Sequence, residues 1–145
     1  MPEFKNILIA VDTSKESELV ITRATELASK YQSQIYIIHV VEPVILESNY
    51  DLVPVINSEI EHNLVARGER FLETLEKKFN VRFEQKLIPI GSTKAEIHQA
   101  AKHYNIDLIV LGSHGRHGVA RLLGSTANAV LHGAPCDVMC IKVGN

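Results

Sequence analysis

An apolar run opens directly into a glycine-rich loop at residues 108–126, which read LIVLGSHGRHGVARLLGST. The apolar residues at its start indicate a buried strand, and Gly-Ser-Thr at its end is typical of a helix N-terminus. Glycines let a ligand approach the backbone closely, and a helix N-terminus adds unpaired N–H donors with partial positive charge. Arg116 and Arg121 add full positive charge in a geometry that suits phosphate oxygens. The stretch therefore indicates a phosphate or nucleotide site.

This loop differs from two better-known phosphate-binding loops. It contains no Gly-Lys-Ser/Thr, so it is not a Walker A loop, and it lacks the dinucleotide pattern Gly-x-Gly-x-x-Gly. Its glycines could also form a purely structural turn, since glycine is the default residue of turns. The strand before the loop and the helix after it favour the phosphate site over that alternative.

Segments with strand and helix patterns alternate along the rest of the chain. Strands are predicted at residues 4–11, 34–41, 81–90, 107–111 and 138–143. Capping boxes at residues 13–16, 58–61 and 93–96 predict three helix starts, and a fourth helix is predicted at 125–132 with Gly133 after it. The alternation predicts an α/β fold in a single domain (residues 1–145), with one doubly wound, five-stranded parallel sheet and helices on both faces. Right-handed crossovers leave the strand order open. If strands one and four are neighbours, the order is 3-2-1-4-5, a Rossmann-like arrangement.

Three features of the sequence meet at one edge of such a sheet. Asp12 follows the first predicted strand, Val40 ends the second, and the glycine loop follows the fourth. In a doubly wound sheet the ligand sits beyond the carboxyl ends of the strands, where the winding reverses. Asp12 would there accept a hydrogen bond from a ribose hydroxyl or an adenine amino group, or it would help to cap the first helix, or both.

The composition excludes several classes of protein. The chain has 145 residues, 46% of them hydrophobic, which suits a folded domain with a sizeable core. Its formal net charge is −2, whereas a dedicated nucleic-acid binder usually carries a basic patch and a high pI. No apolar run reaches the ~18 residues of a membrane span, and the N-terminus lacks the pattern of a signal peptide. We therefore expect a cytoplasmic protein that binds neither nucleic acid nor membrane.

Histidines, cysteines and acidic residues indicate no metal site and no catalytic centre. His114 and His117 lack a nearby Cys or carboxylate to complete a metal shell, so we expect them to donate hydrogen bonds to phosphate. Cys136 and Cys140 would lie roughly 13 Å apart along one strand, beyond disulfide reach. His39, inside the second predicted strand, is interpreted as a packed core residue. Hydrolysis of ATP needs Mg²⁺ ligands and a residue that positions water. Asp12 is the only obvious acidic candidate in the predicted crevice, so any hydrolysis of ATP would be slow.

Four segments of this sequence form a specific combination: residues 7–14 (ILIAVDTS), His39-Val40, residues 112–126 and residues 134–138 (APCDV). In this combination the chain resembles the universal stress protein family (UspA-like), over essentially its whole length. The resemblance implies the same 3-2-1-4-5 sheet, a dimer, and a role in survival of stress and growth arrest.

The loop resembles that of the subgroup that retains the glycine-rich ATP-binding motif, which is Gly-x-x-Gly, nine residues, then Gly-Ser/Thr. Gly112 and Gly115 match the first two glycines. Only eight residues separate Gly115 from Gly124, so either Gly124 or Ser125 fills the third glycine position.

The resemblance also implies which residues contact a nucleotide. Ala10, Asp12 and Val40 would surround adenine and ribose. Gly112, Gly115 and residues 124–126 would hold the phosphates. The full set of expected contacts is Ala10, Val11, Asp12, Val40, Gly112, His114, Gly115, Arg116, Gly124, Ser125 and Thr126.

Together these features predict a cytoplasmic, homodimeric stress-response protein that binds ATP or a related adenine nucleotide, with any Mg²⁺ held through the phosphates. It is expected to be a nucleotide-responsive module and not a fast enzyme. Two alternatives stay open: a slow ATPase or phosphotransferase that uses the same crevice, and an interaction module that no longer binds nucleotide. The predicted fifth strand, from Val138 to Val143, is an edge in the order 3-2-1-4-5, and its apolar side chains predict that two copies pair there.

Overall fold

The computed structural model describes residues 3–43, 58–113 and 124–143 of the chain. Within these ranges five strands and four helices alternate. In chain order they are β1 (Asn6–Ala10), α1 (Ser17–Tyr31), β2 (Gln34–Ile38), α2 (Ser58–Lys78), β3 (Gln85–Leu87), α3 (Thr93–His103), β4 (Leu108–Gly112), α4 (Ser125–Leu131) and β5 (Asp137–Ile141). Each predicted strand and helix is therefore present, although most strands are shorter than their sequence pattern.

The strands form one parallel sheet in the order β3-β2-β1-β4-β5, which confirms the predicted topology. β1 is the central strand, because Ile7 pairs with Ile35 of β2 on one side and with Leu108 of β4 on the other. The chain winds outward from β1 through β2 to β3, and then crosses back to β4 on the opposite side of β1. The winding therefore reverses between β1 and β4, where doubly wound sheets hold their ligands.

Helices cover both faces of the sheet and bury two apolar layers. On one face Ile7 of β1 packs with α1 and α2, in a cluster that includes Ile21. On the other face Leu8 packs with α3 and α4, in a cluster that includes Ile97 and Val130. Burial of each of these side chains stabilises the fold by about 1.5–3 kcal/mol. Neighbouring residues of β1 thus face two apolar layers, which explains why the strand is a continuous apolar run and not an alternating one.

Two helices do not begin as their predicted capping boxes indicated. α1 begins at Ser17 and not directly after Thr13, because the Asp12 carboxylate organises the intervening turn through its bond to the Ser14 N–H (2.9 Å). α3 contains Thr93 as its first residue, and the Thr93 hydroxyl donates to a carboxylate oxygen of Glu42 at 2.7 Å, not to its own helix. A partner outside the helix thus takes the Thr93 hydroxyl, whereas at α1 the bonds of Asp12 to Ser14 form a turn that delays the start of the helix.

The end of α4 agrees with the prediction from the sequence. Gly133 follows α4 with a φ of +76°, a left-handed conformation that glycine adopts without steric cost.

Among the strands, β3 differs most from its predicted bounds. The predicted strand at 81–90 contracts to Gln85–Leu87 because the residues before it turn back onto α2. There the Val81 N–H donates to the Glu76 carbonyl (3.2 Å), and the Phe83 N–H donates to the Glu76 carboxylate (2.9 Å).

Candidate functional site

A crevice opens beyond the carboxyl ends of β1, β2 and β4, where the winding of the sheet reverses. The first turns of α1 and α3 border it through Ser17 and Thr93. Six of the predicted nucleotide contacts line it: Ala10, Val11, Asp12, Val40, Gly112 and Thr126. The structure thus brings together residues that lie more than a hundred positions apart in the sequence.

Asp12 lies directly after β1, and one of its two carboxylate oxygens is engaged by the protein. Oδ1 accepts hydrogen bonds from the N–H of Ser14 (2.9 Å) and from the Ser14 hydroxyl. The hydroxyl of Ser17, which is 3% exposed, lies 3.1 Å from Oδ1 and 2.8 Å from the Asp12 carbonyl oxygen. Among the described residues Oδ2 has no hydrogen-bond partner. The turn therefore fixes the carboxylate and leaves one oxygen available to a ligand in the crevice.

The two ends of the glycine loop meet at Ser113. Its N–H donates to the Ile141 carbonyl (2.8 Å), and its carbonyl accepts from the Gly124 N–H (2.6 Å). Its hydroxyl accepts from the Val143 N–H at 3.2 Å. Ser113, which is 8% exposed, therefore joins β4, the end of β5 and the start of α4. Because Gly112 lines the crevice, the bonded pair Ser113 and Gly124 lies next to a crevice residue.

The remaining predicted contacts have different positions. Gly124 is buried just before α4, and Ser125 is the exposed first residue of that helix. Neither lines the crevice, whereas Thr126 does. His114, Gly115 and Arg116 lie outside the described residues.

Several crevice residues were not predicted from the sequence. They are Ser14, Glu16, Ser17, Val20, Ile38, His39, Thr93, Ile97 and Leu111. His39 is not the fully packed core residue that its strand position suggested, because it is only partly buried and its Nδ1 lies 3.0 Å from the Val11 carbonyl oxygen. Its place beside Val40, at the carboxyl end of β2, is a signal that could have found it. The α3 residues carry no such signal, since α3 reaches the crevice only by packing on the sheet.

Groups outside the crevice form no second centre in the described part of the chain. Cys136 and Cys140 are free thiols, as their spacing predicted. Burial, with a smaller contribution from the Asp137 carboxylate, raises the pKa of Cys136 to about 11, so this thiol is protonated near neutral pH and is a poor nucleophile. Within the described ranges no three His, Cys, Asp or Glu side chains are grouped as metal ligands, and no helix has the length and apolar content to cross a membrane.

The family of this chain follows from comparison with known proteins. The model of the universal stress protein family matches residues 3–142. The chain belongs to this family. Universal stress protein A homolog 2 of Coxiella burnetii is 34% identical to it over 146 residues, which cover 99% of this chain and 98% of the relative.

Solved structures of universal stress proteins share the fold of this one. The UspA protein of Lactobacillus plantarum superposes with a TM-score of 0.82 and 29% identity, over 97% of this chain and 99% of the other. A universal stress protein solved in complex with cAMP superposes with a TM-score of 0.63 and 17% identity, over 97% of this chain and 98% of the other. The 3-2-1-4-5 sheet with its four helices is thus the fold of a stress-response family.

Proposed function

We propose that this universal stress protein is a single cytoplasmic nucleotide-binding domain that holds ATP, or a related adenine nucleotide, in the crevice. It acts as a dimeric module whose role in the stress response depends on the bound nucleotide. The observation that carries the proposal is the carboxylate of Asp12. One of its oxygens is held by the turn before α1, and the other has no hydrogen-bond partner among the described residues, at the point where the sheet reverses its winding.

The surroundings of Asp12 suit a nucleoside. Ala10, Val40, Ile97 and Leu111 give the crevice an apolar lining against which a flat base can pack. Oδ2 of Asp12 accepts a hydrogen bond from a ribose hydroxyl or from an adenine amino group. A ligand without such a donor would leave the carboxylate unpaired, and an unpaired polar group out of water costs about 1–3 kcal/mol.

The phosphates are held at the glycine-loop end of the crevice. Gly112 lines that end, and the loop sequence supplies Gly115 together with Arg116 and Arg121. Backbone N–H groups of glycine-rich turns and arginine side chains are both established partners of phosphate oxygens. A divalent cation such as Mg²⁺ would bind through the phosphates, because the crevice offers few carboxylates of its own.

The cAMP complex supports an adenine nucleotide as the class of ligand. That universal stress protein has the same fold and was solved with an adenine nucleotide bound. At 17% identity its contacts do not transfer residue by residue. The assignment of individual residues therefore rests on the crevice of this chain.

The homodimer is proposed from the edge strand β5. Among the described strands β5 pairs only with β4, and four of its five side chains are partly exposed. An open apolar edge is an aggregation hazard unless another strand pairs with it. Antiparallel pairing of β5 with the same strand of a second copy closes the edge with two-fold symmetry.

Calorimetric titration with ATP and Mg²⁺ tests the nucleotide site. We expect saturable binding and a raised thermal unfolding midpoint. Gly115→Val should abolish both effects, because it adds a branched side chain to the phosphate loop. Leu131→Ala is the control, since Leu131 is 46% exposed and does not line the crevice.

The outcomes separate the candidate functions. Absence of both heat and thermal protection at saturating ATP would contradict nucleotide binding and leave the pure interaction module. Release of ADP at a rate that Gly115→Val abolishes would identify a slow ATPase. Mass spectrometry of the nucleotide carried by freshly purified protein would identify the adenine nucleotide that binds.

A further inference from the structure

His39 connects three strands at the crevice. Its backbone N–H donates to the Leu87 carbonyl of β3 (2.9 Å), and its ring Nδ1 lies 3.0 Å from the carbonyl oxygen of Val11, directly after β1. A carbonyl oxygen only accepts, so Nδ1 carries a proton and donates it. A side chain from the end of β2 thereby holds the backbone of the residue next to Asp12.

Gly68 in α2 explains how the His39 ring is held from its other side. Glycine destabilises the interior of a helix relative to alanine, so its presence there needs a reason. A Cβ atom at position 68 would lie 3.1 Å from His39 Cδ2 and 3.2 Å from Ile88 Cδ1. Both distances are shorter than ordinary carbon–carbon contact. An alanine at position 68 would therefore require the His39 ring or the Ile88 side chain to shift by a few tenths of an ångström.

Hydrogen bonds hold the backbone at Val11 and at Asp12 from two different elements. The Val11 carbonyl accepts from His39, and the Val11 N–H donates to the Ile38 carbonyl at 3.0 Å. The Asp12 carbonyl oxygen lies 2.8 Å from the Ser17 hydroxyl of α1. A change in the His39 bond therefore alters the position from which the carboxylate is presented to the crevice.

We infer that His39 is a positioning residue of the nucleotide site, which sets the placement of Asp12 through its hydrogen bond to Val11 and depends on Gly68 for its own placement. The inference rests on the proposed adenine-nucleotide site. It makes α2 a determinant of nucleotide affinity, although no described α2 residue lines the crevice.

Three variants test this role. His39→Leu removes the donor, whereas His39→Asn retains an amide N–H in a similar position. Gly68→Ala leaves the donor in place and presses on the ring from α2. ATP dissociation constants are measured by calorimetry, and the free energy of unfolding by urea denaturation. We expect His39→Leu to weaken ATP binding about tenfold, the equivalent of one hydrogen bond. We expect Gly68→Ala to weaken ATP binding as well, and His39→Asn to bind ATP about as tightly as the unmodified protein.

A second readout reports the bond itself. Nuclear magnetic resonance of the ring nitrogens should show a protonated Nδ1 in the unmodified protein and a perturbed Nδ1 signal in Gly68→Ala. Affinity as weak in folded His39→Asn as in His39→Leu would overturn the inference, and so would unchanged affinity in both His39→Leu and Gly68→Ala. If the unmodified protein binds no adenine nucleotide, the proposed function fails and the role of His39 fails with it. If that protein binds ATP and asparagine does not rescue, only the inference fails.

Discussion

The backbone N–H of Gly124 donates to the carbonyl oxygen of Ser113, with 2.6 Å between nitrogen and oxygen. This bond joins the residue before the 114–123 loop to the residue after it. Ser113 and Gly124, which flank positions 114–123, are therefore held together next to Gly112, which lines the crevice. Gly124 has φ −59° and ψ 157°, a conformation open to any residue, so its N–H matters more here than its backbone freedom.

Replacement of Gly124 by proline tests the closure of the loop. Proline favours a φ near −65°, which matches the observed conformation, but it has no N–H and its ring Cδ would occupy the space toward the Ser113 carbonyl oxygen, 2.6 Å from the nitrogen. We expect the free energy of unfolding to fall by more than the ~1 kcal/mol of one hydrogen bond, and ATP affinity to fall as well. Gly124→Ala, which retains the N–H, is the matched control. Equal ATP affinity in the two variants, measured by calorimetry, would show that this bond does not position the loop.

Asp12→Asn separates the two roles of the carboxylate. The amide oxygen can still accept from the Ser14 N–H, while the free oxygen is replaced by a donor. We expect a nearly unchanged free energy of unfolding and an ATP affinity weaker by about 1–3 kcal/mol. Ser14→Ala is the control, because it removes a bond from the turn but leaves Oδ2, and it should cost more stability than affinity. Full affinity in Asp12→Asn would assign Asp12 to the turn alone.

The proposed dimer is tested at Cys140. The Ile141 carbonyl accepts from the Ser113 N–H, so the backbone N–H and C=O of Ile141 point toward β4. The side to which these groups point alternates from one residue of a strand to the next. The N–H and C=O of Cys140 therefore point toward the open edge. Proline is tolerated in a strand where its missing N–H lies at an edge. We expect Cys140→Pro to be monomeric and Cys140→Val to remain dimeric in light scattering at micromolar concentration. A monomeric unmodified protein would refute the dimer, and a dimeric Cys140→Pro would move the interface elsewhere.

Glu76 makes the stability of the contact between α2 and β3 depend on pH. Hydrogen bonds from the Lys86 ammonium (2.8 Å) and the Phe83 N–H (2.9 Å) hold the pKa of its carboxyl below the ordinary value of 4.5. Because the folded-state pKa lies below the unfolded one, the stabilisation is present above pH 4.5 and is lost as the pH falls through the lowered value. We expect Glu76→Gln to lower the free energy of unfolding more at neutral pH than in acid. Glu73→Gln, on an exposed position of the same helix, is the control, and a difference that did not change with pH would contradict the assignment.

Much of the fold was predictable because apolar patterning acts along short stretches of chain. The continuous apolar run of β1 requires cover on both faces, and the alternation with helices requires parallel strands. Helix starts were less predictable. Thr13 carries the local pattern of a cap, yet Asp12 takes the Ser14 N–H and hydroxyl, and the helix begins only at Ser17. The position of Asp12 at the end of β1 places its carboxylate over Ser14, and the local capping pattern does not contain this information.

The sequence by itself determined the class of sheet, which follows from the hydrophobic periodicity of alternating strands and helices. Right-handed crossovers leave the strand order open, and the order 3-2-1-4-5, which brings Asp12, Val40 and Gly112 to one edge, came from taking strands one and four as neighbours and from the resemblance to the universal stress protein family. Only the tertiary structure decided that His39 bonds to Val11 and that the Gly124 N–H donates to the Ser113 carbonyl. It also decided that α3 supplies a wall of the crevice through its first turn. These contacts join different strands and helices, and their geometry is set by how the helices pack on the sheet, a property that no local stretch of the chain encodes.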